Sequence, residues 1–286
     1  MTEVTMQHES LVRLGVFASV LVVMALAELA APRRRPAIGR TTRWPGNLGI
    51  VVIDSLVVRL LFPVTAVGVA VLAEERGWGL FATLALPGWL AVLAAVVLLD
   101  LAIYLQHVLF HAVPALWRLH RMHHADLEFD TTTGIRFHPV EIALSMVLKL
   151  AVVAALGAPP LAVLLFEVVL NASSLFNHGN VRIPAALDRV LRWIVVTPDM
   201  HRVHHSVIPA ETNSNFGFNL PWWDRLFGTY RAQPRAGHDA MTIGIEQFRD
   251  PRELRLDRML LQPWRDDAGR YPIGRRDSET GPGDTI

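Results

Sequence analysis

The sequence predicts an all-α protein: an integral membrane bundle of about four to five membrane helices, with a cytoplasmic histidine-rich cap that holds a dimetal site. Three observations support this prediction. Of the 286 residues, 52% are hydrophobic, which is high for a soluble protein. Five apolar segments approach the length that a bilayer requires. Histidines occur in clusters with helical spacing, close to the ends of these segments.

The apolar segments give the predicted order of the membrane helices. They are Leu14–Ala31, Leu48–Ala73, Trp89–His111, Val140–Leu156 and Leu161–Phe176. The first three are long enough to cross a bilayer. At a rise of 1.5 Å per residue, the last two are about 25 Å long, which barely crosses the hydrocarbon core. They therefore form either a shallow hairpin or two full spans around the turn "GAPP".

A loop with five arginines, "PRRRPAIGRTTRWP", follows the first segment. The positive-inside rule places this loop in the cytoplasm, and two further crossings bring His107–His124 back to the same side. The next two segments return to that side whether or not they cross fully. The first segment lacks a small-residue cleavage site and is interpreted as a retained anchor. We therefore expect a protein of the inner or plasma membrane with its active site on the cytoplasmic side.

Composition and segment order divide the chain into three regions. Residues 1–99 are N-terminal transmembrane anchor helices, 100–235 a catalytic domain, and 236–286 a polar C-terminal tail that is partly disordered, losing order after Trp264. The net charge of +1 gives no support for nucleic-acid binding. Because the chain has no cysteine, disulfides, thiolate metal sites and thiol catalysis are excluded.

Eight histidines form three clusters in which helical spacing places the rings on one face. The clusters are His107 and His111, then His120, His123 and His124, then His201, His204 and His205. His178 in "FNHGN" and His138 in "RFHPVE" raise the number to ten. Imidazole is a common ligand for transition metals. One metal needs only three or four protein ligands, so this number of histidines suits two metals.

Polar residues share the helix faces of the histidines. Asp100 and Tyr104 continue the face of His107, whereas Glu167 and Asn171 continue that of His178. Ionisable groups at membrane depth usually face a site or a partner. We therefore expect Asp100 and Glu167 to accept hydrogen bonds from ligand histidines, with Asn171 and Glu141 as further polar neighbours of the site.

These residues resemble the fatty acid hydroxylase/sterol desaturase superfamily of membrane-bound non-haem diiron oxygenases. The pattern is carried by "HVLFH", "HRMHH", "NHGN" and "HRVHH", and by the flanks "RFHPVE" and "NSNFGFNLPWWDRLFGTY". The resemblance implies a cap that holds two iron ions. Its implied catalytic ligands are His107, His111, His120, His123, His124, His201, His204 and His205, with His178 as the ninth ligand and His138 as a less certain one.

The resemblance also implies an oxidoreductase that uses O2 to hydroxylate or desaturate an unactivated C–H bond of a lipid. The lipid is of sterol, hopanoid, carotenoid or fatty acyl type. An alkyl C–H bond offers side chains no acid and no leaving group, so a metal must supply the difficult step. The sequence contains no recognisable haem, flavin or nicotinamide segment. Two electrons are therefore expected from a separate donor, a ferredoxin or a cytochrome with its reductase.

Three other classes of histidine-containing protein are alternatives. A metal transporter or metal-binding membrane protein would place them along a path near the bilayer midplane. A bis-histidine haem protein would need one histidine on each of two facing helices. A di-zinc membrane hydrolase would need neither O2 nor a reductant.

Overall fold

The structure, a computed structural model, describes residues 8–84 and 86–273. Within these ranges the chain is helical, with two isolated β-bridges and no strand, which confirms the all-α prediction. The first eight helices in chain order are α1 (Glu9–Ala30), α2 (Arg40–Leu61), α3 (Ala66–Arg76), α4 (Leu80–Thr83, a single turn), α5 (Gly88–Ala112), α6 (Pro114–His124), α7 (Pro139–Leu156) and α8 (Pro160–Asn177).

Shorter helices follow α8 and build the part of the protein that surrounds the histidines. They are α9 (Ala185–Leu191), α10 (Pro198–His204), α11 (Pro209–Thr212), α12 (Trp222–Leu226), α13 (Gly237–Ala240) and α14 (Leu256–Leu261), with 3₁₀ turns at Thr131–Ile135, Pro251–Leu254 and Gln262–Trp264.

Five segments of the described chain are long and apolar enough to cross a membrane, which agrees with the predicted number. The second predicted segment, Leu48–Ala73, is not one helix, however. Pro63 cannot donate a backbone hydrogen bond, and Phe62 before it is extended, so α2 ends at Leu61. Thr65 then caps α3 by accepting a hydrogen bond from the Gly68 amide. The composition does not show this break, because the residues on both sides of it are apolar.

Helices α7 and α8, each of 18 residues, are joined by a short turn into a helical hairpin, and Lys149 of α7 pairs with Glu167 of α8. The hairpin turns at Gly157, whose φ of +60° is a left-handed conformation that favours glycine. A Cβ at this position would lie 2.0 Å from the carbonyl oxygen of Trp78. The turn therefore packs directly on the α3–α4 connection, and these two loops share one end of the bundle.

The apolar core of the bundle lies between α3, α5, α7 and α8. Ala70, Leu99, Val153 and Phe166 belong to this core and are almost fully buried. Small residues at the contacts allow the helices to approach closely, as is typical of membrane bundles. Because α5 leaves the core and carries His107 and His111 at its other end, the histidines lie at the opposite end of the bundle from Gly157.

A buried ion network joins α2 to the loop that follows α6. The guanidinium of Arg43 donates to both carboxylate oxygens of Asp126, at 2.8 and 2.7 Å, and to Asp130 at 2.5 Å. Burial alone would raise the pKa of Asp126, but the charge of Arg43 holds it well below its usual range. Thr133 completes the network with a hydrogen bond to Asp126. This network fixes the chain immediately after His124.

Two further buried carboxylates tie α1 to the rest of the protein. Glu28 accepts hydrogen bonds from the backbone amides of Thr131 and Asn180 and pairs with Arg40. Glu167, in α8, pairs with Lys149 at 2.8 Å and with Arg13 at 3.0 Å. The first helix is therefore held by ionic contacts at both of its ends.

The C-terminal segment packs against α6. Ala268 and Tyr271 are buried with Trp117, and the backbone carbonyls of Gln262, Arg265 and Asp267 accept hydrogen bonds from Arg121. The expected loss of order after Trp264 is therefore wrong for residues 265–273, because these contacts hold them in place. Residues 274–286 of the predicted tail lie outside the described residues.

We predict that Arg43→Ala lowers the free energy of unfolding by about 3–5 kcal/mol, because it leaves two buried carboxylates without their cation. Thermal unfolding of the purified protein in detergent measures the loss. The matched control is Arg255→Ala, which removes an exposed pair with Asp257 and should leave the unfolding midpoint close to that of the wild-type protein. Equal midpoints for the two variants would show that the network does not stabilise the fold.

Candidate metal centre

Nine histidines converge at one end of the bundle, and each is at least 93% buried. They come from five parts of the chain: the last turns of α5, the second half of α6, the residue after α8, the helix α10 and the residue after it. The nine are His107, His111, His120, His123, His124, His178, His201, His204 and His205. Sequence analysis had selected all of them.

The nine rings divide into two groups. The first group is His107, His111, His120, His124 and His204, and the second group is His123, His178, His201 and His205. Within each group, one ligand nitrogen per ring lies within 4.8 Å of every other. The groups are adjacent, since the ring centroids of His124 and His205 are 4.6 Å apart.

Both copies of the H-x-x-H-H motif are split between the groups. His120 and His124 belong to the first group, whereas His123 belongs to the second. In the later copy, His204 belongs to the first group, and His201 and His205 to the second. Each short helix therefore supplies both groups, which brings the two groups side by side.

Hydrogen bonds fix the tautomers of six rings. In each case Nδ1 faces an oxygen that accepts, so Nδ1 carries the proton and Nε2 keeps its lone pair. The acceptors are the carbonyl of Phe216 for His107, the side chain of Asn213 for His111, Glu141 for His120, the carbonyl of Arg136 for His123, the carbonyl of Ser174 for His178 and the carbonyl of Ser214 for His204. The Asn213 amide is itself oriented, because its NH2 group donates to the carbonyl of Tyr271.

The freed nitrogens fit a metal site. All five rings of the first group have a buried Nε2 without a hydrogen-bond partner among the described residues. In the second group, the Nε2 atoms of His123 and His178 face each other at 3.2 Å. Both rings carry their proton on Nδ1, so two lone pairs are opposed. Ligand nitrogens that share one ion at about 2.1 Å lie roughly 3.0–3.4 Å apart. A cation between them resolves the repulsion.

Burial also keeps these rings in the form that binds metals. It lowers the pKa of His178 and of His204 to about 3, and it lowers the pKa of His201 and His205 well below the usual value. The rings are therefore neutral at pH 7. Neutral imidazole is the metal-binding form, so the site does not need to lose protons before it binds an ion.

The loop that follows α11 positions the rings of the first group. The sequence motifs do not predict this role for the loop residues. The loop supplies Asn213 Oδ1, the Ser214 carbonyl and the Phe216 carbonyl to three different rings. Asp224 holds the loop by accepting from the amides of Phe216 and Gly217. The segment "NSNFGFNLPWWDRLFGTY" was the available signal, but backbone acceptors cannot be identified from side-chain identity.

Glu141 lies where the sequence analysis expected it. Its Oε1 atom is 2.6 Å from Nδ1 of His120, and both side chains are buried. Such a contact fixes the ring orientation and increases the basicity of the opposite nitrogen. Glu141 is in the first turn of α7, so the hairpin and the first group are directly connected.

Three other expectations need correction. Asp100 accepts from the indole of Trp223, and Glu167 pairs with Lys149 and Arg13, so neither carboxylate contacts a histidine. Asn171, by contrast, lines the cavity next to the histidines, and its amide donates to the carbonyl of Glu167 within its own helix. His138 caps α7 by accepting from the Val140 amide and belongs to neither group. Helical spacing placed these residues on the correct faces, but it could not show how far along the helix the site extends.

A cavity of about 270 Å³ opens beside both groups. His107, His120 and His123 form part of its wall. Apolar side chains from α1, α2, α5, α7 and α8 line much of the remainder, among them Phe17, Val51, Ile103, Phe110, Ile142 and Leu170. The histidines therefore face a space that suits an apolar ligand between membrane helices.

Comparison with known proteins agrees with this geometry. The family model described as fatty acid hydroxylase matches residues 92–229, a range that contains all nine histidines. This region of the chain matches the fatty acid hydroxylase family, which confirms the resemblance to the fatty acid hydroxylase/sterol desaturase superfamily. No solved structure matches it.

Several characterised relatives share this part of the chain. It is 34% identical to ornithine lipid hydroxylase OlsE of Rhizobium tropici over 154 residues, which are 54% of this chain and 45% of the relative. It is 26% identical to alkylglycerol monooxygenase of Xenopus tropicalis (60% of this chain, 36% of the relative) and 29% identical to cholesterol 25-hydroxylase of Rattus norvegicus (51% and 48%). The chain thus spans less than half the length of each of these relatives.

We predict that Glu141→Ala weakens metal binding by about 10–100-fold, because the His120 ring loses the acceptor that orients it. Metal content after dialysis against a graded chelator measures the change. Glu75→Ala, which changes an exposed carboxylate at the opposite end of the bundle, is the matched control. Unchanged chelator resistance in Glu141→Ala would contradict the role assigned to Glu141.

We also predict that His123→Ala and His204→Ala, one from each group, abolish iron loading while membrane insertion persists.

Proposed function

We propose that this protein is a membrane-bound diiron oxidoreductase that uses O2 and two external electrons to hydroxylate or desaturate an unactivated C–H bond of a lipid. The observation that carries the proposal is the pair of adjacent all-imidazole groups in the wall of an apolar cavity between membrane helices. An all-nitrogen set without carboxylate ligands favours iron or another first-row metal over magnesium or calcium.

Two iron ions in these groups would supply the redox chemistry that an alkyl C–H bond requires. The residues of the chain would hold the ions, orient the ligand rings and shield the histidines from water. Nine imidazoles provide the ligands, and their Nδ1 acceptors set the direction of each ring. Phe137 stacks on His123 with centroids 4.5 Å apart, and Trp117 packs on His111 at 4.9 Å. These aromatic rings restrict the access of water to the histidines.

Hydroxylation would follow the balance R–H + O2 + 2 e⁻ + 2 H⁺ → R–OH + H2O. The similarity to a lipid hydroxylase, an alkylglycerol monooxygenase and a cholesterol hydroxylase favours this outcome over desaturation. The electrons come from a separate donor, which we propose to be a ferredoxin or a cytochrome with its reductase. The lipid enters the cavity from the bilayer.

We further propose that the histidines lie on the cytoplasmic side of the inner or plasma membrane. The five-arginine loop between α1 and α2 supports this orientation through the positive-inside rule. The same loop contacts the end of the bundle that carries the histidines, since the amide of Arg33 donates to the carbonyl of Asn180. The α3–α4 connection lies at the other end, next to Gly157.

The reaction is tested with ¹⁸O2. Membranes that contain the protein and a reducing system should form a lipid product that carries one ¹⁸O atom from the gas, and its formation should stop when iron is chelated. Matched membranes with His204→Ala should form none. Oxygen derived from water, or a product formed without O2 and reductant, would contradict the proposal and favour a di-zinc hydrolase.

The orientation of the protein in the membrane is tested by labelling single introduced cysteines. Because the chain has no cysteine of its own, each label reports one position. Ala236→Cys lies on the exposed surface near the histidines, and Glu75→Cys lies at the opposite end. A membrane-impermeant maleimide should label Glu75→Cys in intact cells and Ala236→Cys only in inverted vesicles. The reverse pattern would place the metal centre on the outer side.

A further inference from the structure

Asp54, in the middle of α2, lines the cavity beside the histidines. It belongs to neither histidine group and does not orient any ligand ring. It is 8% exposed, and its Oδ1 atom is buried without a hydrogen-bond partner. Among residues 8–84 and 86–273, no side chain or backbone group donates to either of its carboxylate oxygens or pairs with it. Asp54 therefore presents an unsatisfied acceptor to the cavity.

The other charged side chains of the cavity wall each have a partner. Glu141 accepts from His120 at 2.6 Å through Oε1, although its Oε2 is unpaired, and Lys149 pairs with Glu167 at 2.8 Å. Polar neutral groups in the wall are also engaged, since Gln106 donates to Ser145 at 2.8 Å. Asp54 differs from these three groups because neither of its carboxylate oxygens has a partner among the described residues. Its neighbour Ser55 satisfies its own hydroxyl by donating to the carbonyl of Val51 in the preceding turn.

An unpaired carboxyl group at membrane depth is expensive, and such groups usually face a substrate or an ion path. The cavity gives Asp54 access to the same space as His107, His120 and His123. We propose that Asp54 is a substrate-binding residue that accepts a hydrogen bond from a donor group, a hydroxyl or an amine, on the lipid. The substrate class is then a lipid with a donor group close to the oxidised carbon, rather than a plain hydrocarbon chain.

This assignment rests on the proposed function only for the identity of the reaction, and it restricts where oxygen enters. With the donor group held at Asp54, the carbons that reach the histidines are those that fit with it inside a cavity of about 270 Å³. Oxidation should therefore occur near the polar end of the lipid. The remaining chain extends towards the bilayer, past apolar side chains such as Phe17 and Val51.

Binding of three probes of equal chain length tests the assignment on the iron-loaded full-length protein in detergent. Dodecan-1-ol and dodecan-1-amine carry a donor, whereas 1-methoxydodecane does not. We expect at least one donor probe to bind about tenfold more tightly than the ether, as judged by Kd from ligand-dependent thermal stabilisation. A preference for the alcohol alone or for the amine alone identifies which donor the lipid carries.

Two variants locate the preference. Asp54→Leu should bind all three probes equally while it retains its iron, whereas Ser55→Ala should keep the preference of the wild-type protein. Equal Kd values for all three probes in the wild-type protein would overturn the proposal, and this comparison holds even if Asp54→Leu does not fold. An unchanged preference in a folded, iron-loaded Asp54→Leu protein would overturn it as well.

The binding readout separates this inference from the proposed reaction. A donor preference that depends on Asp54, in a protein that incorporates no ¹⁸O from O2, would contradict the reaction but retain the binding site. Incorporation of ¹⁸O without any donor preference would contradict the role of Asp54 and leave the reaction in place.

Discussion

The convergence of nine buried imidazoles is the constraint on which the rest of the structure depends. Protein atoms satisfy Nδ1 on six of the rings and leave their Nε2 atoms facing inward. Buried polar atoms without partners destabilise a fold, and opposed lone pairs at 3.2 Å add repulsion. Cations bound between these nitrogens would remove both penalties. We therefore expect metal binding and folding of this end of the bundle to be thermodynamically linked.

The surrounding fold supplies what such a site needs, namely rigid attachment of short helices that have little intrinsic stability. Helix α10 has seven residues and α6 has eleven, too few for either to be stable alone. Buried charges hold them in place. Arg43 with Asp126 fixes the chain after α6, and Arg202 pairs with Asp199 within α10. Asp224 fixes the loop that supplies acceptors to the first group. Ionic contacts thus help to hold the short helices and the loop that position the rings.

Much of this arrangement could be predicted from the sequence, because imidazole chemistry and helical spacing are local properties. Such local properties predict the nine histidines of the site, the hairpin of α7 and α8, and the position of Glu141 near the histidines. The corrected features depend on distance along or between helices. Asp100 shares a face with His107 but reaches Trp223 instead, and Phe62–Thr65 breaks an apolar segment that composition shows as continuous. The division of each H-x-x-H-H motif between two groups also requires rings of α6 to meet rings of α10, as His124 and His204 do at 4.6 Å between centroids, and spacing alone does not predict this contact.

The most direct test of the central claim is X-ray absorption at the iron edge, on the purified full-length protein, together with its iron content. We expect two iron ions per chain and a first shell dominated by nitrogen at about 2.1 Å, with the outer-shell scattering that imidazole rings produce. A protein that retains no iron would contradict the account. So would a first shell dominated by oxygen without imidazole scattering, since the nine rings would then have no common ligand.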